Sequence, residues 1–565
     1  MPTLFMTVAL ALISVLEPSA SPAASVPGAH AVTARGAAGA VATDQHLASA
    51  TGLQILREGG NAVDAAVAIG YALAATYPAA GNIGGGGFML IHRNDGSTHF
   101  IDFRETAPGA ATATMYLDAK GEPDERSRVG PLSAGVPGTV AGLEYARERY
   151  GTRSRATLLA PAIAYAEGFT LDAADAVEFA RAQKLLARFP SSAAIFMRDG
   201  AMLGEGDTFA QPDLARTLRA VAAHGVDGFY RGPVAQALVE ATRAAGGIVT
   251  LDDLARYRAV ERTPVRCAFA GHTIVTAPPP SSGGVTLCET LGIIGPSAGG
   301  ALRDVANAHL EIEAERRAFA DRNSALGDPD FVRVPVGHLL SAQYLAAERA
   351  SIDAARATPS SSIAGFALDE GHNTTNYSVV DAAGNAVDVT YTLNNAFGSG
   401  FVAAGTGVLL NDEMDDFAAK PGEANMFGLV QGRADAIAPY KRPLSSMTPT
   451  IVLDARGRVV LVAGAAGGPR IITTTLDIVR AVVEFHQDVA AAVAMPRVHM
   501  QYLPDLVDVD PGAFAPQTLA ALRAMGYRID VDHVGSIANA IAIDARGIRT
   551  AAREPRLATG LATAY

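Results

Sequence analysis

Two strand–turn–strand patterns in the last third of the chain constrain the fold most strongly. The segments 376–393, NYSVVDAAGNAVDVTYTL, and 448–468, TPTIVLDARGRVVLVAGAAGG, each alternate in polarity around a turn containing Asp and Gly. Such patterns predict antiparallel hairpins. The chain before residue 373 is rich in helical patterns instead. Helices followed by antiparallel hairpins favour a layered α/β fold over a doubly wound parallel sheet.

The first helices have clear boundary signals. From Thr43 to Pro78 the pattern is a helix, a break at Gly59–Gly60 and a second helix, with Asn61 as its N-cap. The apolar stretch 62–77 is too short to span a bilayer and predicts a helix buried on all sides. Further helices are expected near 138–166, 209–243, 302–320, 474–487 and 516–525. The segment APPPSSGG, 277–284, predicts a loop.

Composition indicates a large globular protein. The chain has 565 residues, of which 49% are hydrophobic and 18% are charged, far from the profile of a disordered chain. The net charge of -12 argues against a nucleic-acid-binding surface.

The N-terminus resembles an export signal. Residues 4–16, LFMTVALALISVL, have the length of a signal-peptide core and precede small residues and prolines. We therefore expect residues 1–25 to be a signal peptide and the protein to be periplasmic or secreted, without a stable membrane anchor. A cytoplasmic start remains the alternative, because no Lys or Arg precedes the apolar run.

The two cysteines, Cys267 and Cys288, allow at most one intramolecular disulfide. Two buried or free thiols are the commoner arrangement, and a disulfide is the alternative in an oxidising compartment.

Polar residues alternate along the second strand of the first hairpin. A three-residue loop would place Thr374 across from Asn394 and Asn376 across from Thr392, with all four side chains on one polar face. A four-residue loop would send them to opposite faces. The sequence leaves both registers open.

The second hairpin brings two small-residue pairs to one end of a sheet. Pairing outward from its turn places Ser445–Ser446 near Ala465–Ala466, with Gly467–Gly468 just before a helix at about residue 471. Backbone N–H groups of such a glycine pair can form an oxyanion hole. An ordinary Gly-Gly turn is the competing interpretation.

Charged residues follow two apolar strands. Glu413 and Asp416, three residues apart, form either a site for a cation or ammonium group or a solvated acidic patch. Arg104 ends another apolar strand, where an arginine either forms a structural ion pair or binds a substrate.

Two other patterns give weaker signals. GNIGGGGF, 81–88, lacks the Lys-Ser/Thr ending of a phosphate-binding loop and instead predicts close backbone packing. The spacing of His309, Glu311 and Glu313 predicts a helix surface rather than a metal site. No metal or cofactor is implied.

Many motifs together resemble those of γ-glutamyltranspeptidases. In the second half of the chain these are NTTNYSVVD, VTYTLNNAFGSG, LLNDEMDDF, KRPLSSMTPT and AAGGPRIITT. In the first half they are GGNAVDAAVA, GNIGGGGF, DFRETAP, GVPGTVAGL and PPPSSGG. The motifs occur in order from about Thr43 to the C-terminus, so the resemblance covers nearly the whole mature chain.

The resemblance implies an N-terminal-nucleophile hydrolase, an αββα sandwich with antiparallel central sheets. Its precursor would cleave itself between Asn373 and Thr374, giving a heterodimer of a large subunit, 26–373, and a small subunit, 374–565. A threonine hydroxyl needs a base, which the freed α-amino group of Thr374 supplies. Thr375 is the rival nucleophile, and the family motif assigns the first threonine of the pair.

The resemblance also implies roles for the other site residues. Thr392 would orient the nucleophile, and Gly467 and Gly468 would stabilise the oxyanion. The α-carboxylate of a γ-glutamyl group would be held by Arg104, Ser445 and Ser446. Its α-amino group would be held by Asn394, Glu413 and Asp416. A zwitterion requires this division into donors and acceptors.

The expected reaction is cleavage of γ-glutamyl amides such as glutathione, with transfer to water or to amino acid or peptide acceptors. The segment Pro421–Pro443 matches the family's lid and carries Phe427 where bacterial relatives commonly have tyrosine, so the balance of hydrolysis and transfer is left open. The alternatives are an acylase for glutaryl side chains, which lack the α-amine, and a catalytically silent homologue.

Overall fold

Two facing sheets form the centre of the protein. The computed structural model describes residues 32–297, 299–363, 374–422 and 432–565. Within these residues, two seven-stranded sheets pack face to face, and all neighbouring strands in both are antiparallel. The expected signal peptide, Asn373 and Phe427 lie outside the described residues.

The strands of the two sheets are, in chain order, β1 (Thr33–Gly36), β2 (Ala40–Thr43), β3 (Gly86–His92), β4 (Thr98–Asp102), β5 (Val260–Arg262), β6 (Val265–Phe269), β7 (His272–Thr276), β8 (Thr375–Val380), β9 (Ala386–Thr392), β10 (Thr450–Leu453), β11 (Val459–Ala466), β12 (Ile537–Ile543), β13 (Arg549–Arg553) and β14 (Leu561–Ala564). The first sheet has the order β1-β13-β12-β11-β10-β7-β6, and the second has the order β14-β2-β8-β9-β3-β4-β5. Short strands elsewhere are Phe169–Thr170, Met197–Arg198, Ala201–Met202, Thr208–Phe209, Val402–Ala403, Val408–Leu409, Val498–His499, Val507–Val509 and Ile529–Val531.

The helices are α1 (His46–Arg57), α2 (Ala62–Thr76), α3 (Thr139–Tyr150), α4 (Arg155–Glu167), α5 (Ala173–Arg181), α6 (Gln183–Leu186), α7 (Pro190–Phe196), α8 (Pro212–His224), α9 (Asp227–Tyr230), α10 (Gly232–Ala244), α11 (Leu251–Arg256), α12 (Gly283–Ile294), α13 (Val305–Ala325), α14 (Val336–Leu339), α15 (Ala342–Ala350), α16 (Arg470–Val479), α17 (Val489–Ala494) and α18 (Pro516–Ala524).

Helices cover the outer face of each sheet. A core that includes Tyr377, Val389 and Tyr391 joins the second sheet to α1–α4. A second core joins the first sheet to α12, α13, α16 and α17. The described chain is therefore an αββα sandwich, as the resemblance implied.

Polar side chains lie between the two sheets. The Ser378 hydroxyl donates to Asp388 at 2.8 Å, and the backbone N–H of Thr450, on the opposite sheet, donates to the same carboxyl group at 3.1 Å. Burial raises the pKa of Asp388 to about 7. The inter-sheet layer is thus partly held by hydrogen bonds to a buried acid.

The first hairpin shows the predicted faces but a displaced pairing. Asn376 pairs with Thr390, not with Thr392, so the predicted pairing was wrong by two residues. A shift of two preserves which face each side chain occupies. The loop does have three residues, 382–384, between Asp381 and Asn385. The carboxylate of Asp381 accepts the backbone N–H of Asn385 at 2.9 Å and so closes the loop at this point.

The predictions for α1 and α2 are confirmed. Asn61 caps α2 in a capping box, in which its side chain accepts the backbone N–H of Asp64 at 2.9 Å and Asp64 returns the contact. Every residue of α2 is buried. Among the described residues, no helix combines the length and apolarity that crossing a bilayer requires.

The structure also shows how the glycine cluster packs and whether the two cysteines are bonded. A Cβ atom on Gly85 would overlap the carbonyl oxygen of Thr392, which confirms close backbone packing around this cluster. Cys267 and Cys288 form a disulfide with an S–S distance of 2.05 Å that joins β6 to α12.

The predicted helix surface around residues 309–313 was wrong. His309, Glu311 and Glu313 are buried. Arg303 and Arg480, from outside the helix, pair with Glu311, and Arg317 of the same helix pairs with Glu313. The helix also continues to Ala325 rather than ending near residue 320.

Candidate active site

A small pocket lies where both sheets end together. The start of β8, the end of β9 and the end of β4 share one end of the second sheet, and the start of β10 and the end of β11 lie at the adjacent end of the first. The pocket is lined by Arg104, Arg322, Thr374, Thr392, Asn394, Glu413, Asp416, Leu444, Ser445, Ser446, Met447, Gly468, Pro469 and Ile471. All the predicted site residues in the described chain line it except Gly467.

The two adjacent threonines point in different directions. Thr374, immediately before β8, lines the pocket and is 6% exposed. Thr375 is completely buried, and its hydroxyl donates to Asp44 at 2.7 Å. Alternation along an extended chain separates the two side chains. The geometry therefore favours Thr374 over Thr375 as the residue that meets a ligand.

Asp44 anchors the strand behind the pocket. Besides Thr375, its carboxylate accepts the side-chain amide of Asn539 at 2.8 Å. Burial raises the pKa of Asp44 to about 6, and the hydrogen bonds from Thr375 and Asn539 oppose this rise. The Asp44 network fixes Thr375, and with it the position of its neighbour Thr374.

The end of β9 carries two more predicted residues. Asn394 adopts φ = 81°, a conformation that asparagine tolerates better than most residues. Its backbone N–H donates to the Thr392 hydroxyl at 2.8 Å, and its side-chain amide donates to the carbonyl of Asp412 at 3.0 Å. These contacts fix both side chains beside Thr374.

Arg104 lies directly against the two acids. Its Nη1 donates to Glu413 and its Nη2 donates to Asp416, and all three residues are buried. The sequence-based division into a carboxylate side and an ammonium side did not foresee this contact. The two acids lie on a short 3-10 helix, Glu413–Asp416, which turns both carboxylates towards the guanidinium.

The ionisable groups of this cluster change one another's pKa. Burial lowers the pKa of Arg104, but Glu413 and Asp416 outweigh burial and raise it above its ordinary value. Burial, only partly offset by Arg104, raises the pKa of Glu413 well above its ordinary value. Within the described chain, Oε2 of Glu413 is buried without a hydrogen-bond partner. An ammonium group in the pocket would satisfy this oxygen and favour the ionised carboxylate.

The opposite wall presents two serine hydroxyls. The Ser445 hydroxyl accepts the backbone N–H of Met447 at 3.1 Å, and the Ser446 hydroxyl accepts Nη2 of Arg322 at 3.1 Å. The loop predicted at 277–284 ends at Ser282, because α12 begins at Gly283. It supports this wall, since the backbone N–H of Ser282 donates to the Ser445 carbonyl at 2.8 Å.

The glycine pair lies at the N-terminus of α16. Gly467 has φ = 131° and Gly468 has φ = 58°, both in the region that favours glycine. Gly468 lines the pocket, whereas a Cβ atom on Gly467 would lie 3.1 Å from Ser536. Backbone N–H groups at a helix N-terminus suit an anionic oxygen.

The similarity of this chain to known proteins agrees with the fold and the pocket. The sequence profile described as gamma-glutamyltranspeptidase matches residues 48–564. The chain belongs to the γ-glutamyltranspeptidase family.

Members of the family and a related acylase are close in sequence or structure. The chain is 48% identical to the glutathione hydrolase proenzyme of Pseudomonas sp. (strain A14), over 93% of this chain and 94% of that protein. It is 43% identical to the glutathione hydrolase proenzyme of Escherichia coli (strain K12), over 100% of both. The crystal structure of cephalosporin acylase from Bacillus halodurans matches with a TM-score of 0.85 at 26% identity, over 98% of this chain and 99% of that one. The predicted family and the N-terminal-nucleophile hydrolase fold are confirmed.

Sequence reasoning missed one charged residue of this γ-glutamyltranspeptidase pocket. Arg322, in the last turn of α13, lines the pocket and is fully buried. An arginine near a helix C-terminus is common for reasons of helix electrostatics, so its position in the sequence gave no signal. Only the packing of α13 against α12, which covers the first sheet, brings Arg322 to the site.

Proposed function

We propose that this chain is a self-processing γ-glutamyl hydrolase and transferase that uses Thr374 as its nucleophile and acts on γ-glutamyl amides such as glutathione. The observation that carries the proposal is the common pocket of Thr374, the buried Arg104–Glu413–Asp416 group and the Ser445–Ser446 pair. Membership of the γ-glutamyltranspeptidase family and the glutathione hydrolase proenzymes among its relatives support it.

The reaction begins with the Thr374 hydroxyl. Cleavage of the bond between Asn373 and Thr374 frees the α-amino group, which then takes the hydroxyl proton as the oxygen attacks the γ-carbonyl carbon. Thr392, fixed by the backbone N–H of Asn394, orients the hydroxyl. An uncut chain lacks this base, so the precursor is inactive.

The tetrahedral intermediate then collapses to an ester. Its oxyanion lies against the backbone N–H groups of the Gly467–Gly468 pair, at the N-terminus of α16. The C–N bond of the substrate breaks, the leaving amine receives the proton, and a γ-glutamyl ester of Thr374 remains. Water or the amine of an amino acid or peptide resolves the ester.

Recognition depends on the zwitterionic end of the γ-glutamyl group. Its ammonium group is held by Glu413, Asp416 and Asn394, and the unpartnered Oε2 of Glu413 supports this assignment. Its carboxylate is held by the Ser445 and Ser446 hydroxyls together with Arg104, whose guanidinium has five N–H donors and can serve several acceptors.

The two fragments, 26–373 and 374–565, remain one heterodimeric protein. In the second sheet, β2 of the large fragment pairs with β8 and β14 of the small one, and β3 pairs with β9. In the first sheet, β1 pairs with β13 and β7 pairs with β10. Cutting before Thr374 leaves all these ladders intact.

Residues 1–25 act as a signal peptide in this proposal, and the mature protein is periplasmic or secreted. The Cys267–Cys288 disulfide supports export, since disulfides persist in oxidising compartments.

N-terminal sequencing and mass analysis of the purified protein, combined with an assay of glutamate release from glutathione, test the proposal. We expect two fragments, the smaller beginning at Thr374. An intact chain that releases γ-glutamyl groups at a normal rate would contradict the mechanism.

A glutaryl acylase is the second candidate, and the similarity to cephalosporin acylase favours it. A glutaryl group lacks the α-amine and would leave Glu413 and Asp416 without a ligand. We expect γ-glutamyl p-nitroanilide to react faster than glutaryl p-nitroanilide, and the reverse order would favour the acylase.

A further inference from the structure

Arg322 is a buried cation with neutral partners only. Its Nε donates to the Ser282 hydroxyl at 3.0 Å, its Nη1 to the side chain of Asn323 at 3.1 Å and its Nη2 to the Ser446 hydroxyl at 3.1 Å. Across the described ranges, no carboxylate lies within 4 Å of this guanidinium. A buried ion without a counter-charge costs several kcal/mol unless a ligand compensates it.

Arg322 and Arg104 differ in the acids that surround them and in the direction of their pKa shifts. Burial lowers the pKa of Arg322 to about 10, and nearby acids offset this only weakly. The first of these acids is Asp435, whose own pKa burial raises to about 8, so it carries little negative charge at neutral pH. Arg104, in contrast, already has two acids in contact.

The hydroxyls on the Arg322 side are arranged as donors. Ser446 accepts from Arg322, and Ser445 accepts from the backbone N–H of Met447. A hydroxyl that accepts one hydrogen bond can donate its own proton elsewhere. Both hydroxyls line the pocket, so the group that suits this wall is an acceptor with negative charge.

Charge balance points the same way. Acids outnumber arginine on one side, because Arg104 pairs with Glu413 and Asp416 and also lies 3.7 Å from Glu105. That side suits an ammonium group, which favours the ionised form of Glu413. Arg322 supplies the positive charge on the serine wall, where a carboxylate would lie.

We propose that Arg322 is the residue that makes the pocket selective for an α-carboxylate, by supplying its counter-charge and by orienting the Ser446 hydroxyl towards it. This inference rests on the proposed function. Arg104 keeps its place beside both the acids and the carboxylate, and Arg322 adds a second positive charge behind the serine wall. Arg322 is thus a positioning and specificity residue.

Three p-nitroanilides separate this role from a structural one. The γ-glutamyl substrate carries both charges, the glutaryl substrate only the carboxylate and the 4-aminobutyryl substrate only the ammonium group. In the self-cleaved full-length enzyme, Arg322→Gln is expected to raise KM for the first two by about 10- to 100-fold. The KM for the 4-aminobutyryl substrate should change by less than about threefold, and kcat should change little for all three substrates.

Arg322→Lys is the matched control, because it keeps the charge but not the bidentate geometry. It should retain most of the selectivity for carboxylate-bearing substrates. A uniform loss on all three anilides, in either variant, would mean that Arg322 only ties α13 to the pocket wall and would overturn the inference. If Arg322→Gln does not accumulate, Arg322→Lys measured on the three substrates decides by the same criterion. Failure of the proposed function itself would be visible in the wild-type enzyme, as absent cleavage or absent γ-glutamyl release.

Discussion

Two buried charge clusters in this protein each contain a central glutamate, and they differ in how that glutamate is paired. The pocket cluster consists of Arg104, Glu105, Glu413 and Asp416. The α13 cluster consists of Arg303, Glu311, Asp477, Arg480 and Glu484. In the α13 cluster both carboxylate oxygens of Glu311 are occupied, one by Arg303 and the other by Arg480. In the pocket cluster only Oε1 of Glu413 is occupied, and Oε2 has no partner among the described residues.

The charge count differs as well. The α13 cluster has two arginines for three acids, since Arg303 also reaches Asp477 and Arg480 also reaches Glu484. The pocket cluster has one arginine for three acids. The α13 cluster, called balanced here because its charges are the more nearly matched, serves the fold. The acid-rich pocket cluster, called unbalanced, opens onto a pocket and leaves negative charge for a ligand.

Removing the nucleophile should have the largest effect. Thr374→Ala is expected to remain a single chain and to lose at least about a thousandfold in turnover, because both steps use its hydroxyl. Electrophoresis shows whether the chain has been cut, and the γ-glutamyl p-nitroanilide assay measures turnover. Thr375→Val is the matched control, since that hydroxyl contacts Asp44 instead. An uncut Thr375→Val chain beside a cut Thr374→Ala chain would reverse the assignment.

Disrupting the balanced cluster should cost stability without affecting recognition. Glu311→Gln leaves two buried arginines with one less counter-charge, and we expect a loss of about 3 to 5 kcal/mol in unfolding free energy. Thermal and urea denaturation followed by circular dichroism measure it. The KM of the folded enzyme should not change. A raised KM would show that the α13 cluster also affects substrate binding and would contradict the distinction between the clusters.

A Glu-to-Gln substitution in the unbalanced cluster should have the opposite effect, weakening substrate binding and leaving stability almost unchanged. Glu413→Gln removes a charged acceptor for the ammonium group, worth about 1.5 to 3 kcal/mol, so KM for γ-glutamyl p-nitroanilide should rise about 10- to 100-fold. The unfolding temperature should change little, because Arg104 keeps Asp416. Loss of stability without a change in KM would show that Glu413 is structural.

Asp44 represents a third arrangement, a buried acid held by neutral donors, and its removal should have the smallest effect. Its pKa is raised from 3.8 to about 6 in the folded protein. Between these pH values the folded state keeps a proton that the unfolded state releases, so stability falls as pH rises. Each pKa unit corresponds to about 1.4 kcal/mol, which gives a decline of about 1 to 3 kcal/mol.

Asp44→Asn should remove this part of the pH dependence. Unfolding temperatures of the wild type and the variant are compared at pH 4 and pH 7. The variant should gain stability relative to the wild type as pH rises. Parallel curves would show that Asp44 does not titrate in this range.

Local patterns predicted much of the fold. The N-cap of α2, the break before it and the hairpin faces all depend on residues within a few positions of one another. The hairpin pairing missed by two because the side chain of Asp381 closes the loop at Asn385. The buried acids at 311 and 313 were taken for a helix surface because their arginine partners are distant in the sequence or on the same helix face.

The sequence by itself determined the family. It also identified Thr374, the serine pair and the glycine pair as site residues, and it showed that one ligand needs opposite charges around it. Only the tertiary structure decided which charges meet. Arg104 contacts Glu413 across 309 positions of the chain, and Arg322 reaches Ser446 across 124. Electrostatic energy depends on distance in space and on burial, which spacing along the chain does not encode. For this reason the double pairing of Glu311 in one cluster and the unpartnered oxygen of Glu413 in the other appeared only in the folded protein.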